Sequence, residues 1–176
     1  ATFFTTLAER AADRGLWQGR GLDRLAAEHA NLLVALQWAA AHRQTDLGLR
    51  LCAALQVYWY QRASLTEGRD WCELFLAHEG PSSALRARIL RVAGHLAFFQ
   101  GDLAIAESQL RASIAMAEEI GDDECRSNAL HLLGHVTLDR RDADAAEELF
   151  VEALALRRAI GNRERVATSL FGLGRT

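Results

Sequence analysis

An all-α fold is what this sequence predicts, with antiparallel helical hairpins stacked in chain order into a right-handed superhelix of about nine helices and no sheet. Three observations predict it. Ala, Leu, Arg and Glu dominate the 176 residues, and Pro occurs once, at Pro81; these are the side chains that lose least on entering a helix. A block of residues recurs at fixed spacing along the second half of the chain. Turn-forming residues interrupt the apolar helical periodicity at matching places in each block.

The repeat is anchored by glycine. Leu90, Ala93 and Gly94 recur as Leu130, Leu133 and Gly134, and again as Leu170, Leu173 and Gly174, a period of 40 both times. Ala106 keeps step with Ala146, Leu110 with Phe150, and Ile120-Gly121-Asp122 with Ile160-Gly161-Asn162. Gly94 and Ala106 then lie on facing sides of one hairpin, where small side chains let two helices approach and larger neighbours fill the grooves. Each hairpin leaves an apolar face that the next one covers. A leucine buried this way contributes about 1.5–3 kcal/mol.

Turn chemistry agrees. Gly101-Asp102 and Arg141-Asp142 each end one helix and offer an aspartate to cap the next. Ser64 and Glu67 have the spacing of a capping box. Gly80-Pro81-Ser82-Ser83 closes one helix and opens its successor, and Gly121 and Gly161 read as helix-ending residues. The expected helices run over about 2–14, 22–42, 46–62, 66–79, 83–100, 103–120, 123–140, 143–160 and 163–174. Residues 1–80 are expected to hold an N-terminal helical segment and divergent first hairpins. Residues 81–176 hold the period-40 repeats, the last truncated, and the whole forms one continuous solenoid.

These slots resemble the tetratricopeptide signature, a glycine-centred first helix followed by Ala and a bulky residue four positions on in the second. Leu90, Ala93, Gly94 and Ala97 fill the first-helix slots and Ala106 and Leu110 the second; Ala146, Phe150 and Ala153 repeat them. No Trp opens a unit, no Tyr follows the glycine and no Pro closes it. The period also exceeds the usual length of about 34, marking a divergent, long-helix variant.

The N-terminal half carries a second resemblance. Leu22-Asp23-Arg24-Leu25, Glu28-His29, Asn31-Leu32 and Trp38-Ala39 are followed by Tyr58-Trp59, Arg62, Glu67-Gly68-Arg69 and Trp71. Over roughly residues 1–76 this resembles the helical segment of LuxR-family and AfsR-like bacterial transcriptional regulators of the signal-transducing NTPase type, with Ala63-Ser64 where the family pattern has Gly. The resemblance implies a cytoplasmic sensor or scaffold segment of a multidomain regulator, which recognises an inducer or partner and promotes self-association. The alternative is a stand-alone adaptor that binds peptide segments in its concave groove. No G-x-x-x-x-G-K-[ST] loop occurs, so nucleotide binding is not assigned to this segment.

Charge and composition bound the rest. A net charge of −3 and a pI near 6.1 argue against nucleic-acid binding, which demands a concentrated basic face. No apolar stretch approaches the roughly 18–20 residues of a membrane span. The N-terminus has neither a basic leader nor a cleavage pattern nor a starting Met, and the C-terminus stops inside a helical pattern. Both ends read as those of a piece of a longer protein. Cys52, Cys72 and Cys125 form no C-x-x-C pair, and Cys52 and Cys72 each sit in an apolar helical run, so the three are read as structural cysteines of a reducing compartment.

Candidate site residues follow from the repeat register. Arg88, Arg91, His95 and Phe99 come from one first helix. Asn128, His131, His135 and Asp139 come from the next, and Phe171 and Arg175, with Thr168, from the last. Arg and His donors beside Phe suit an anionic peptide or ligand. His131 and His135, four apart on one face, could ligate zinc, but Leu132-Leu133-Gly134 between them lacks the glutamate of H-E-x-x-H. The reading is therefore no enzyme, no metal and no cofactor. The expected partner is a protein, a peptide or a small inducer. Val57-Tyr58-Trp59-Tyr60 point all round one helix, so they cannot share one core face; with Trp38 and Trp71 they are expected to pack between hairpins, and Trp17 to anchor the first helix.

Overall fold

The computed structural model describes residues 1–13, 20–78, 80 and 83–176; Trp17 and the Pro81-Ser82 junction lie outside them. The described residues form ten α-helices and no strand, so the all-α class stands and the helix count rises from nine to ten. The additional helix comes from the expected span 22–42, which is two: α2 (Arg20–Ala27) and α3 (His29–Ala41). Between them Glu28 sits at φ −98°, ψ 7°, and its carboxylate accepts from the Asn31 amide at 2.6 Å. The backbone ladder runs on through the bend, with Leu32 N–H donating to the Glu28 carbonyl at 2.9 Å. A one-residue bend that keeps the apolar period intact leaves no trace in a periodicity argument.

The other helices are α1 (Thr2–Asp13), α4 (Thr45–Gln61), α5 (Leu65–Leu76), α6 (Ala84–Phe99), α7 (Leu103–Ile120), α8 (Asp123–Asp139), α9 (Ala143–Ala159) and α10 (Arg163–Leu173). They fall into two compact units, Ala1–Gly80 and Pro81–Thr176. No helix among the described residues is long and apolar enough to cross a membrane.

In the first unit α4 is the hub, touching α1, α3 and α5. Its run Leu51–Leu55 is buried on all sides, as are Tyr58 and Trp59, while Tyr60 is exposed; the four bulky residues do divide between core and surface. Two glycines let aromatic rings lie against backbone. Gly48 faces the Phe75 ring, and a Cβ at Gly68 would stand 2.5 Å from Trp59. Early residues of α4 thus oppose late residues of α5 and the reverse, an antiparallel pair. A two-pronged ion pair joins α1 to α4, with Arg50 Nε and Nη2 donating to the Glu9 carboxylate at 2.8 and 2.9 Å.

In the second unit each helix packs on the next, and α8 also touches both α6 and α10. The glycine register does what the sequence asks of it. A Cβ on Gly94 would lie 2.8 Å from Leu110 Cγ and 3.2 Å from the Ala106 carbonyl, and one on Gly134 would lie 2.6 Å from the Phe150 ring. At the other end of the α6/α7 pair, Ser113 Oγ donates to the Ala87 carbonyl at 2.8 Å, so the pair is antiparallel. The third register glycine departs from this: Gly174 is the C-cap of α10, and it is a Cβ on Gly172 that would lie 2.8 Å from the same edge of the Phe150 ring.

The turns share one device. At six helix ends the cap residue or the one just after it is left-handed: Arg43 (φ 53°), Ala63 (φ 55°), Gly101 (φ 80°), Gly121 (φ 71°), Arg141 (φ 65°) and Gly161 (φ 73°). Within each unit these positions recur every 20 residues, half the repeat. Caps follow at Asp122, Asp142 and Asn162, whose side chains accept from Cys125, Ala145 and Arg165 N–H. The capping box at Ser64 does not form. Glu67 turns away from it because its carboxylate accepts from the Trp59 indole at 2.9 Å and lies 3.5 Å from His29.

A candidate ligand-binding face on the second unit

Helices α6, α8 and α10 are neighbours, with α7 and α9 each bridging two of them. The candidate residues Arg88, Arg91, His95 and Phe99 lie on α6, and Asn128, His131, His135 and Asp139 on α8. Phe171 lies on α10, and Arg175 just past its C-cap. They resolve into two groups.

The first group lines a cleft of about 390 Å³ against the opening turns of the three helices. Arg88, Arg91 and Asn128 contribute, joined by Cys125 and Arg165, with Asp122 and Glu124 beside them. Burial, and then the like charges of Arg88 and Arg165, lower the Arg91 guanidinium to about 10, while the Cys125 thiol beside it works the other way. Burial raises the Cys125 thiol above its ordinary range, so it is the protonated form that faces Arg91. Asp122 is committed to capping, its Oδ1 accepting from Cys125 N–H at 2.9 Å.

Beneath this cleft lies Arg157, 1% exposed. Its Nη1 donates to the Arg165 carbonyl at 3.0 Å, to Thr168 Oγ1 at 3.0 Å and to Ser169 Oγ at 2.6 Å. Its Nη2 donates to Asn128 Oδ1 at 3.3 Å. One guanidinium therefore ties α9 to α8 and α10. Burial, and then Arg165, lower it to about 10.

The second group is a histidine cluster. His131 and His135 pack edge to face at 4.7 Å and both lie on the Phe150 ring, at 5.4 and 5.0 Å. Arg175 Nη1 stands 3.3 Å from His135 Nδ1. A guanidinium only donates, so His135 carries its proton on Nε2 and offers it to His131 Nε2 at 3.3 Å. The His131 proton is then on Nδ1, which is buried without a partner. The His95 ring lies 4.6 Å from that of Phe99, tilted by 54°. Burial first, then neighbouring arginines and imidazoles, push His131 down to about 3 and His95 to about 4. His135 is also lowered, by burial and Arg175 against the opposing pull of Asp139. All three imidazoles are thus neutral near pH 7, donors and acceptors of hydrogen bonds rather than cations. No group of three or more His, Cys, Asp or Glu side chains that could hold a metal ion occurs among the described residues. Phe171, 69% exposed, belongs to neither group.

Sequence reasoning missed Arg165 and Arg157. Arg165 lies in the repeat column of Leu85 and Cys125, one turn before the column of Arg88 and Asn128, and all five line the cleft; extending the columns one turn would have found it. Arg157 stands where the preceding repeat has Ala117, itself buried. A charged residue replacing a buried alanine at matched register was the available signal.

No protein-family model matches the chain. A protein of Mycobacterium bovis and one of Mycobacterium tuberculosis, each named “Putative HTH-type transcriptional regulator”, are 30% identical to it over 108 aligned residues. The match takes in 56% of this chain and 12% of each relative's length. Over about half its length, the chain is thus related to a small part of proteins bearing a transcriptional regulator's name.

Proposed function

We propose that this chain is the sensor or scaffold segment of a multidomain, cytoplasmic bacterial transcriptional regulator of the LuxR-like, signal-transducing NTPase type. Its hairpins stack as a tetratricopeptide-like superhelix, and the segment recognises a protein, peptide or small inducer and promotes self-association without chemistry of its own. One observation carries the reading: a chain matching 12% of a named transcriptional regulator folds into hairpins in which α6, α8 and α10 bring Arg, His and Asn side chains together in register. Neutral imidazoles on an aromatic ring and arginines in a cleft are recognition chemistry. A net charge of −3 leaves DNA contact to another part of such a protein.

The test is the complete reading frame. A P-loop nucleotide-binding module and a DNA-binding domain on the same polypeptide are expected. A frame with neither refutes the regulator reading, and a stand-alone peptide-binding adaptor replaces it.

A further inference from the structure

The cleft at the head of α6, α8 and α10 has a charge imbalance that the fold itself does not use. Arg88, Arg91 and Arg165 all line it. Among the described residues, neither Arg88 nor Arg165 is ion-paired to a carboxylate, as several exposed arginines elsewhere are not; what sets these apart is that they share one cleft with Arg91. The two acids at the cleft, Asp122, held as a helix cap, and Glu124, exposed, offset only two of the three positive charges. Packing alone gives no reason to gather three guanidiniums here: Arg88 and Arg165 are exposed and Arg91 half-buried, like charges at one cleft repel, and burial penalises Arg91 besides.

We infer that this cleft binds the phosphoryl group of a small phosphorylated molecule, with Arg88, Arg91 and Arg165 as its ligands and Asn128 as a fourth donor. The inference rests on the recognition role proposed above and names its ligand class. A cleft of about 390 Å³ falls at the small-molecule end of binding sites, which span roughly 300–1,000 Å³. A phosphoryl group near neutral pH carries about two negative charges on three terminal oxygens, one acceptor for each arginine; a single carboxylate carries one charge and two oxygens. Guanidinium forks suit such oxyanions in geometry as well as charge.

Two further features fit. Asn128 Oδ1 accepts from Arg157, which fixes the amide and leaves its N–H₂ as the donor to a ligand. Ala84 and Leu85, Glu124 and Cys125, and Arg165 come from the first turns of α6, α8 and α10, where helix dipoles favour an anion.

Calorimetric titration of the purified chain tests this, in a buffer free of phosphate, with inorganic phosphate, glycerol 3-phosphate, citrate and hexaglutamate as probes. Saturable one-to-one binding of glycerol 3-phosphate or phosphate is expected. Arg88→Gln and Arg165→Gln should each weaken it by about tenfold or more, the scale of one charge-assisted hydrogen bond. Arg111→Gln, whose partner Glu107 lies outside the cleft, should change nothing. Binding of neither phosphate, tighter binding of citrate, or equal damage from Arg111→Gln overturns the inference. Tighter binding of hexaglutamate also overturns it, yet leaves the recognition role standing with a peptide as ligand; the regulator reading is decided separately, by the reading frame.

Discussion

Ala63 ends the turn between α4 and α5 in the left-handed region, at φ 55°, where the resembled family pattern has glycine. That conformation costs an L-residue about 1–2 kcal/mol. Glycine escapes the cost but loses about 0.4–1 kcal/mol more backbone entropy on folding. The residue is exposed, so its methyl group contributes little packing, and Ala63→Gly should stabilise the first unit by about 0.5–1 kcal/mol. Gly121→Ala is the mirror experiment in the second unit. Its φ is 71° and nothing stands within 4 Å of an added Cβ, so the backbone term acts alone and the loss should be about 1 kcal/mol.

Urea unfolding reads the two units separately. All four tryptophans, Trp17, Trp38, Trp59 and Trp71, precede residue 81, so fluorescence follows the first unit while far-UV circular dichroism follows both. With a denaturant slope of about 1–3 kcal/mol/M, Ala63→Gly should raise the fluorescence midpoint by roughly 0.2–1 M. A midpoint unchanged or lowered by Ala63→Gly, or a neutral Gly121→Ala, would mean that backbone strain is not what these turns carry.

Three other perturbations bear on the second unit. Gly134→Ala drives a methyl group to 2.6 Å from the Phe150 ring; overpacking of about 1–3 kcal/mol against a helix-propensity gain of about 1 kcal/mol leaves a net loss of up to about 2 kcal/mol. In a Phe150→Ala background, which removes the facing ring, the same change should cost nothing, and an additive urea double-mutant cycle would contradict the facing geometry. Arg157→Leu strands Asn128 and Ser169 and should cost about 2–4 kcal/mol, with hydrogen exchange of the α10 amides accelerating most. His95 and His131 bind protons in the folded state only near pH 4 and 3, against 6.5 for a free imidazole, so the unfolded chain holds more protons between those limits. Their contribution is complete above about pH 6.5 and fades as the pH falls toward 4, by up to roughly 1.4 kcal/mol per pH unit for each imidazole. Circular-dichroism midpoints at pH 7.5 and 5 should show this, and His131→Gln should flatten the difference.

The helices and the glycine register were legible because each rests on a spacing. An apolar residue every third or fourth position, or a small residue opposite a large one, is written directly in the order of residues. The half-period of 20 was not, because two of its six turns hold Arg43 and Arg141 and a third holds Ala63, which no propensity marks as left-handed. The capping box at Ser64 and Glu67 failed for a different reason. Local spacing licensed it, but the Trp59 indole, eight residues away and buried, claims the carboxylate, and tertiary demand outranks a local bond. Among site residues, the columns of Arg88, His95 and their equivalents came from the register, while Arg157 broke it and was passed over.

That break illuminates how such a unit divides its labour. The contacts that set helix spacing, Gly94 on Leu110 and Gly134 on Phe150, tolerate only small residues opposite large ones, so those columns are held nearly constant from repeat to repeat. Columns on the remaining surface of α6, α8 and α10 carry no such constraint. They drift from Arg88 to Asn128 to Thr168, from Arg91 to His131 to Phe171, and from His95 to His135 to Arg175. Chemistry therefore varies along the unit while geometry does not, and two unlike groups arise on one framework: guanidiniums at the head of the helices and neutral imidazoles further along. Arg157 is where the two demands meet. It gives up the alanine that spacing would prefer, and with one buried cation it closes α10 onto α8 and fixes the Asn128 amide at the edge of the cleft, so the same side chain that anchors the last helix also sets the polarity of the site.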